Sequence, residues 1–373
     1  MAVCTTRAVS SCTKHLFNRL CNTTRRSNQT FLTQRCCKQS RSFGQMPPQE
    51  RFSSDRERKS RFSAGYAVGT LAFSRGLLML LGLGKKEEED PVISLFREAR
   101  LAQHEKNFDK AEYYFHEALK VAAENHRKTD MTTRDYLFAK TNIFDSLADM
   151  ALSRGQFDKA EKLYKETMKC CFEVGVEKDD NSVIEISIKL ASIYAMQHRD
   201  AEARTGFEFC IKTQEQKVNE LDDKDKDTVA LLGLALESYG RYLMYQKQLD
   251  KALPLIEKAV TVATSTLGEE HPQTLVLHND LATLNILSKN YGPAEKTLKY
   301  AIEVGERVES SEVPALYCNL GALYIRKSEF EAAKSACKKA LQLAKKMKDT
   351  ISAHQAQKCL DKIYKVTKQS KSS

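Results

Sequence analysis

Apolar residues between residues 315 and 341 recur at the spacing of two consecutive helices. Most are three, four or seven positions apart, which places them on one face of each helix. The residues that carry the pattern are Leu320, Gly321, Tyr324, Phe330, Ala333 and Ala340. Because small residues let two helix backbones approach closely, the segment predicts an antiparallel helix hairpin.

The same pattern occurs five more times toward the N-terminus. The alanines in the place of Ala333 are Ala111, Ala160, Ala203, Ala252 and Ala294. The small residues twelve positions before these alanines are Ala99, Ala148, Ala191, Gly240 and Ala282. One hairpin cannot bury its apolar face alone, but a stack of such hairpins can. The sequence therefore predicts a helical repeat protein.

This pattern resembles the tetratricopeptide repeat, although neighbouring copies are 39 to 49 residues apart, against a basic period of about 34. The resemblance implies an all-α, right-handed superhelical solenoid of six helix hairpins plus a C-terminal capping helix, over residues 91–366. Residues 351–366, rich in Lys and Gln, supply the cap. We expect residues 367–373 to be a disordered tail.

The N-terminal segment differs in composition from the repeats. Residues 1–49 contain eight Lys or Arg and no Asp or Glu, with many Ser, Thr and Cys. Arg-rich, Ser-rich and acid-poor segments are typical of mitochondrial transit peptides. We therefore predict a transit peptide and basic linker over residues 1–61; the alternative is a disordered basic tail.

Residues 62–84 form an apolar run with one charge, Arg75. Its length suffices to cross a bilayer core of about 30 Å, and an Arg near a helix end can reach the interface. We predict a transmembrane segment; the alternatives are a hydrophobic end of the leader or an interfacial helix. The N-terminal flank carries more positive charge, which predicts repeats in the intermembrane space.

An acidic linker, residues 85–90, leads into the repeats, where Asp90 and Pro91 predict the first helix start. The whole chain has a net charge of +10, but residues 87–373 contain 43 Lys or Arg and 46 Asp or Glu. A nucleic-acid-binding domain would need a basic excess on the folded part. We therefore expect no nucleic-acid partner.

The sequence gives little support for an enzymatic function. The eight His are scattered, none in a His-Glu-x-x-His pattern, and the 11 Cys include no Cys-x-x-Cys pair. Phosphate-binding loops and nucleophile elbows are also absent. We expect a non-enzymatic protein without cofactor, metal or small-molecule substrate, and reduced, structural thiols at positions such as Cys318 and Cys337.

In tetratricopeptide arrays the leading helix of each hairpin lines a concave groove. By this resemblance, the groove-facing residues are Asp145, Asp149, Lys189, Glu237, Arg241, Asn279, Asn319 and Arg326. Asn279 and Asn319 resemble groove asparagines that hold a partner's backbone, because an amide can donate and accept at once. The alternative for each is a solvated polar face.

Residues 266–274 resemble the inter-repeat linker of kinesin-light-chain repeats. The leader, apolar span, acidic linker and repeats together resemble a family of mitochondrial tetratricopeptide repeat proteins of the inner membrane. This resemblance implies a scaffold that binds respiratory complex III, through its core protein and Rieske iron–sulfur protein, and helps clear Rieske fragments. The alternative is a cytosolic cargo or signalling adaptor of kinesin-light-chain type, which would need no import leader.

Overall fold

The computed structural model describes residues 90–220 and 225–372, and within these ranges it contains thirteen α-helices and no strand. The helices are α1 Pro91–His104, α2 Phe108–Arg127, α3 Thr133–Ser153, α4 Phe157–Glu173, α5 Asn181–Met196, α6 Asp200–Glu220, α7 Lys226–Tyr245, α8 Leu249–Leu267, α9 Pro272–Leu287, α10 Tyr291–Arg307, α11 Val313–Arg326, α12 Phe330–Lys346 and α13 Thr350–Ser372. The all-α prediction is confirmed. The described chain forms two compact units, which meet in sequence between Ile186 and Ser187 within α5.

The first helix begins where the sequence predicted. Asp90 caps it, with its Oδ1 accepting a hydrogen bond from the backbone N–H of Val92 at 2.8 Å, and Pro91 occupies the first turn. Helix α3 has a comparable start, since Thr132 Oγ1 accepts from the backbone N–H of Asp135 at 3.1 Å. Both caps satisfy a backbone donor that the helix itself leaves unpaired.

The six turns that join the two helices of each hairpin share one backbone motif. In each, a residue with positive φ is followed by a residue whose N–H donates to the carbonyl five positions earlier, at 2.8–2.9 Å. The positive-φ residues are Lys106, Gly155, His198, Lys247, Lys289 and Ser328. The motif closes the end of the leading helix and reverses the chain. Gly155 adopts the left-handed conformation in this motif, with φ at 72°.

The repeated alanines lie where the helices are closest. Ala111, Ala160, Ala203, Ala252, Ala294 and Ala333 have no exposed surface. Gly240 shows why small partners are needed, because an added Cβ would lie 2.6 Å from Cδ1 of Ile256. The spacing pattern therefore identified the helix contacts of the hairpins correctly.

Each unit has its own core. In the first unit Phe115, Ile143, Leu147 and Met150 pack among buried alanines of α1, α2 and α3. In the second, Leu275, Leu298, Leu316 and Leu323 form a core shared by α9, α10 and α11.

The C-terminal helix corrects two expectations. A disulfide joins Cys337 of α12 to Cys359 of α13, so the expectation of a reduced thiol is wrong for Cys337. Cys170, Cys171, Cys210 and Cys318 are buried and form no disulfide, as expected of structural thiols. Helix α13 also continues past Val366, the boundary expected for the cap, into the segment for which a disordered tail was predicted.

Several predictions fall on residues 1–89, outside the described ranges. They are the transit peptide and basic linker at residues 1–61, the transmembrane segment at residues 62–84, and most of the acidic linker at residues 85–90. Among the helices of the described ranges, none combines the length and apolarity that a membrane span requires.

Candidate partner-binding face

A polar face crosses three leading helices of the second unit. Helix α7 contributes Glu237 and Arg241, helix α9 contributes Gln273, Asn279, Asp280 and Thr283, and helix α11 contributes Asn319. We call these seven residues the polar face. The side chains join into two hydrogen-bonded clusters, one charged and one formed by amides and a hydroxyl.

Arg241 lies at the centre of the charged cluster. Its Nε donates to Asp280 Oδ2 at 2.6 Å, and its Nη1 lies 2.6 Å from Glu237 Oε1. Gln273 Nε2 donates to the other Glu237 oxygen, Oε2, at 2.6 Å. Glu237 and Arg241 are only 3% and 5% exposed. Such charges are stable in a protein interior only when paired and hydrogen-bonded, so the cluster fixes the position of α7 against α9.

Burial and pairing act on the protonation of this cluster in opposite directions. Burial raises the pKa of Glu237 above its ordinary value, although Arg241 favours the carboxylate. Burial also disfavours the charged form of Arg241, but Asp280 and Glu237 outweigh it and raise the pKa of the guanidinium. Arg241 therefore remains charged, whereas Glu237 takes up a proton more readily than an ordinary glutamate does.

The amide cluster connects α9 to α11. Asn319 Nδ2 donates to Asn279 Oδ1 at 2.8 Å and to Thr283 Oγ1 at 3.0 Å. Thr283 in turn donates to the backbone carbonyl of Asn279 at 2.8 Å. Within the described residues, the Nδ2 group of Asn279 and the Oδ1 atom of Asn319 have no hydrogen-bond partner. One amide donor group, on the buried Asn279, and one amide acceptor, on the half-buried Asn319, thus remain unpaired.

The structure brings together four of the eight predicted groove residues, as the pairs Glu237 with Arg241 and Asn279 with Asn319. Lys189 lies in the same unit and is buried, whereas Arg326 is exposed at the end of α11. Asp145 and Asp149 belong to the first unit, where Tyr164 donates its hydroxyl proton to Asp149. The hydrogen bonds and ion pairs that form the polar face do not include these four residues.

Sequence reasoning missed Gln273, Asp280 and Thr283. A signal for Asp280 was present, because it follows Asn279 within a helix that is otherwise largely apolar. A charged residue beside a packing position implies a buried counter-charge. The partner, Arg241, is 39 residues away and lies in the preceding repeat.

The described residues show no group of three or more His, Cys, Asp or Glu side chains arranged to hold a metal ion. His271 has a structural role, since its Nδ1 accepts from the backbone N–H of Gln273 at 3.1 Å and caps α9. His278 packs edge-on against the ring of Tyr300. The contacts of both histidines are therefore structural ones.

Comparison with known proteins assigns the chain to a family. Tetratricopeptide-repeat sequence profiles match residues 231–307 and 314–347. Human tetratricopeptide repeat protein 19, mitochondrial, is 34% identical over 278 residues, covering 72% of this chain and 71% of the human protein. The chain belongs to the tetratricopeptide repeat protein 19 family. It is a mitochondrial tetratricopeptide repeat protein, as its relatives are.

More distant similarities agree with this assignment. The Drosophila melanogaster homolog of tetratricopeptide repeat protein 19 is 28% identical over 297 residues, covering 78% of each chain. The crystal structure of the apo form of RapI superposes with a TM-score of 0.56 at 13% identity, covering 79% of this chain and 75% of RapI. At that identity, the likeness to RapI concerns the fold alone.

Proposed function

We propose that this member of the tetratricopeptide repeat protein 19 family is a non-enzymatic scaffold of the mitochondrial inner membrane. It binds respiratory complex III, through the core protein and the Rieske iron–sulfur protein, and supports assembly or maintenance of the complex, including clearance of Rieske fragments. The complex III partner comes from the family resemblance of the sequence. The observation that carries the binding role is the polar face, with its unpaired amide donor and acceptor.

The polar face is suited to an extended peptide. A peptide unit offers one N–H and one C=O, and Asn319 Oδ1 can accept from the former while Asn279 Nδ2 donates to the latter. The link between the two amides and Thr283 holds both groups in place before binding, which lowers the entropy cost of association. Recognition of backbone groups also suits partners whose side chains differ, such as fragments of one subunit.

Membrane anchoring through residues 62–84 and repeats in the intermembrane space complete the proposal. The Cys337–Cys359 disulfide supports this compartment, since structural disulfides persist in oxidising surroundings and are rare in reducing ones. Blocking free thiols in intact mitochondria before lysis, followed by mass analysis without reductant, tests the point. The linked peptide pair is expected; two alkylated cysteines would contradict it.

The binding role is tested with Asn279→Ala/Asn319→Ala in mitochondria that lack the native protein. We expect co-migration with complex III on blue-native gels to be lost, while the melting temperature of the purified variant changes little. Asn142→Ala is the matched control, because this exposed amide bonds only to its own helix, at the carbonyl of Phe138. Unchanged co-migration of the double variant would remove the polar face from the proposal.

The cytosolic adaptor function predicts a different outcome in the same experiment. An adaptor of kinesin-light-chain type would be found outside mitochondria and would not co-migrate with complex III. The mitochondrial relatives favour the inner-membrane scaffold over this alternative.

A further inference from the structure

Charge is unevenly distributed along the repeats. Residues 327–373 contain twelve Lys, no Arg and four Asp or Glu, whereas residues 87–326 contain 31 Lys or Arg and 42 Asp or Glu. The C-terminal end is therefore strongly basic, whereas residues 87–326 are acidic. The polar face lies outside this segment, so the two features are independent.

The lysines of the last two helices form two stripes. On α12, Lys334, Lys338 and Lys345 are four and seven residues apart, which places them on one side of the helix. On α13, the same reasoning groups Lys358, Lys362 and Lys365. All six side chains are exposed. We call these six residues the lysine surface.

No carboxylate of the described residues lies within ion-pair distance of the lysine surface. Other lysines of the second unit do have carboxylate partners; Lys299 and Lys327 both contact Glu295 at 2.8 Å. Unpaired like charges four residues apart, as in Lys334 with Lys338, destabilise a helix. A cap that only had to be soluble would mix the two signs of charge. The lysine surface is therefore arranged for an external anion.

Its composition indicates what kind of anion. Arg is the residue suited to bidentate recognition of a carboxylate or phosphate, whereas Lys is a compact point charge suited to diffuse attraction. Ile351 is 44% exposed and lies on the same stripe as Lys358, seven residues earlier, and Met347 is exposed in the adjoining turn. Exposed apolar side chains beside lysines fit the boundary between lipid headgroups and acyl chains.

We propose that the lysine surface of α12 and α13 binds the anionic headgroup surface of a lipid bilayer, with Ile351 at the headgroup boundary. It is a second membrane contact, at the opposite end of the chain from the apolar segment at residues 62–84. The disulfide between Cys337 and Cys359 joins the two helices that carry the lysine stripes.

Lysine acetylation of the full-length protein tests the assignment. The protein is bound to vesicles of phosphatidylcholine alone or of phosphatidylcholine with phosphatidylserine, and the acetylation rate of each lysine is measured by mass spectrometry. We expect rates at the lysine surface to fall about fivefold on the anionic vesicles, while exposed lysines of other helices, Lys212, Lys251 and Lys296, are unchanged. Equal protection of both sets, or none, would overturn the proposal.

A charge variant supplies the second test. Because residues 62–84 can bind both kinds of vesicle, the quantity measured is the ratio of the partition coefficients for anionic and neutral vesicles. Lys358→Gln/Lys362→Gln/Lys365→Gln is expected to lower this ratio by at least about tenfold, and by less at high salt. The matched control, Lys212→Gln/Lys251→Gln/Lys296→Gln, removes the same charge and should leave the ratio almost unchanged.

Two results would contradict the lipid assignment. One is an unchanged ratio for the variant of α13, or an equal fall for the control. The other is stronger protection of the same lysines by a single-stranded oligonucleotide than by anionic vesicles at equal phosphate concentration, which would assign the surface to nucleic acid.

Discussion

Two clusters of charged residues connect neighbouring helices, one in each unit, and they differ in exposure. In the first unit Glu112 of α2 accepts a hydrogen bond from Lys159 of α4, and Arg154 lies 3.5 Å from the same carboxylate. The side chains of Glu112 and Lys159 are 25% and 41% exposed. Water can replace either partner, so a pair of this kind contributes little to stability.

In the second unit, the side chains of Glu237, Arg241 and Asp280 are only 4%, 6% and 11% exposed. No partner of this cluster can be removed without leaving a charge in a medium of low dielectric constant. The comparison shows that similar ionic groups have different structural roles when their burial differs. The exposed cluster adds a surface contact, whereas the buried one fixes the register between α7 and α9, and so the position of Asn279 next to Asp280.

Removal of the central cation should have the largest effect. Arg241→Met leaves the carboxylates of Glu237 and Asp280 buried without their common partner. We expect the free energy of unfolding to fall by about 3–5 kcal/mol in a urea titration. A loss below about 1 kcal/mol would mean that the cluster is as replaceable as the exposed one.

Replacing the whole buried cluster should sharpen the comparison further. Glu237→Leu/Arg241→Met/Asp280→Leu removes all three charges, and apolar replacements of buried ion clusters are often neutral or stabilising. We expect its free energy of unfolding to be about 3–5 kcal/mol higher than that of Arg241→Met, which restores most of the stability lost in the single variant. Its co-migration with complex III should still be impaired, because α7 and α9 lose their fixed register. Full co-migration would contradict the positioning role.

The two glutamates should also respond to pH with opposite sign. A hydrogen bond from Lys159 lowers the pKa of Glu112 below 4.5. Its contribution to stability is therefore complete above that pH and is lost as the pH falls through the folded-state pKa. Burial raises the pKa of Glu237. As the pH falls, Glu237 is therefore protonated in the folded protein before it is protonated in the unfolded chain. The contribution of Glu237 to stability rises as the pH falls toward 4.5.

Urea unfolding of Glu112→Gln and Glu237→Gln at several pH values measures both signs. With falling pH, the difference in unfolding free energy between the wild type and Glu112→Gln should shrink. The difference between the wild type and Glu237→Gln should grow in favour of the wild type. If the two differences changed with pH in the same direction, the two glutamates would not differ in desolvation.

Disruption of the exposed cluster should have the smallest effect. Lys159→Met removes the closest cation from Glu112 but leaves Arg154 and the surrounding water. We expect the free energy of unfolding to fall by about 0.2–1 kcal/mol. The same urea titration measures it, and a loss comparable to that of Arg241→Met would remove the distinction between the clusters.

The hairpins could be predicted from the sequence because close helix packing leaves a local signature. Only small residues fit where Ala252 and Gly240 meet the neighbouring helix, and this requirement recurs in every repeat. Asn279 and Asn319 could be selected because the register set by Ala294 and Ala333 places both in the groove-facing stretch of a leading helix.

Other features depend on contacts that periodicity does not encode. The bond between Cys337 and Cys359 requires the packing of α13 against α12, and the absent side chain of Gly321 leaves room for both sulfurs. The burial of Asp280 with Arg241 depends on how two repeats stack. The C-terminal extension of α13 was missed because Lys-rich, Ser-rich residues also suit a disordered tail.

Site-specific photo-crosslinking tests the central claim most directly. A photoreactive benzoylphenylalanine is placed at position 326, which is exposed and seven residues after Asn319 on α11, or at position 142 on the surface of the first unit as control, and mitochondria are illuminated before denaturing purification. The proposed function predicts a crosslink from position 326 to the Rieske or core subunit of complex III, and none from position 142. Absence of complex III subunits from the position 326 crosslinks, or equal yields from both positions, would contradict it.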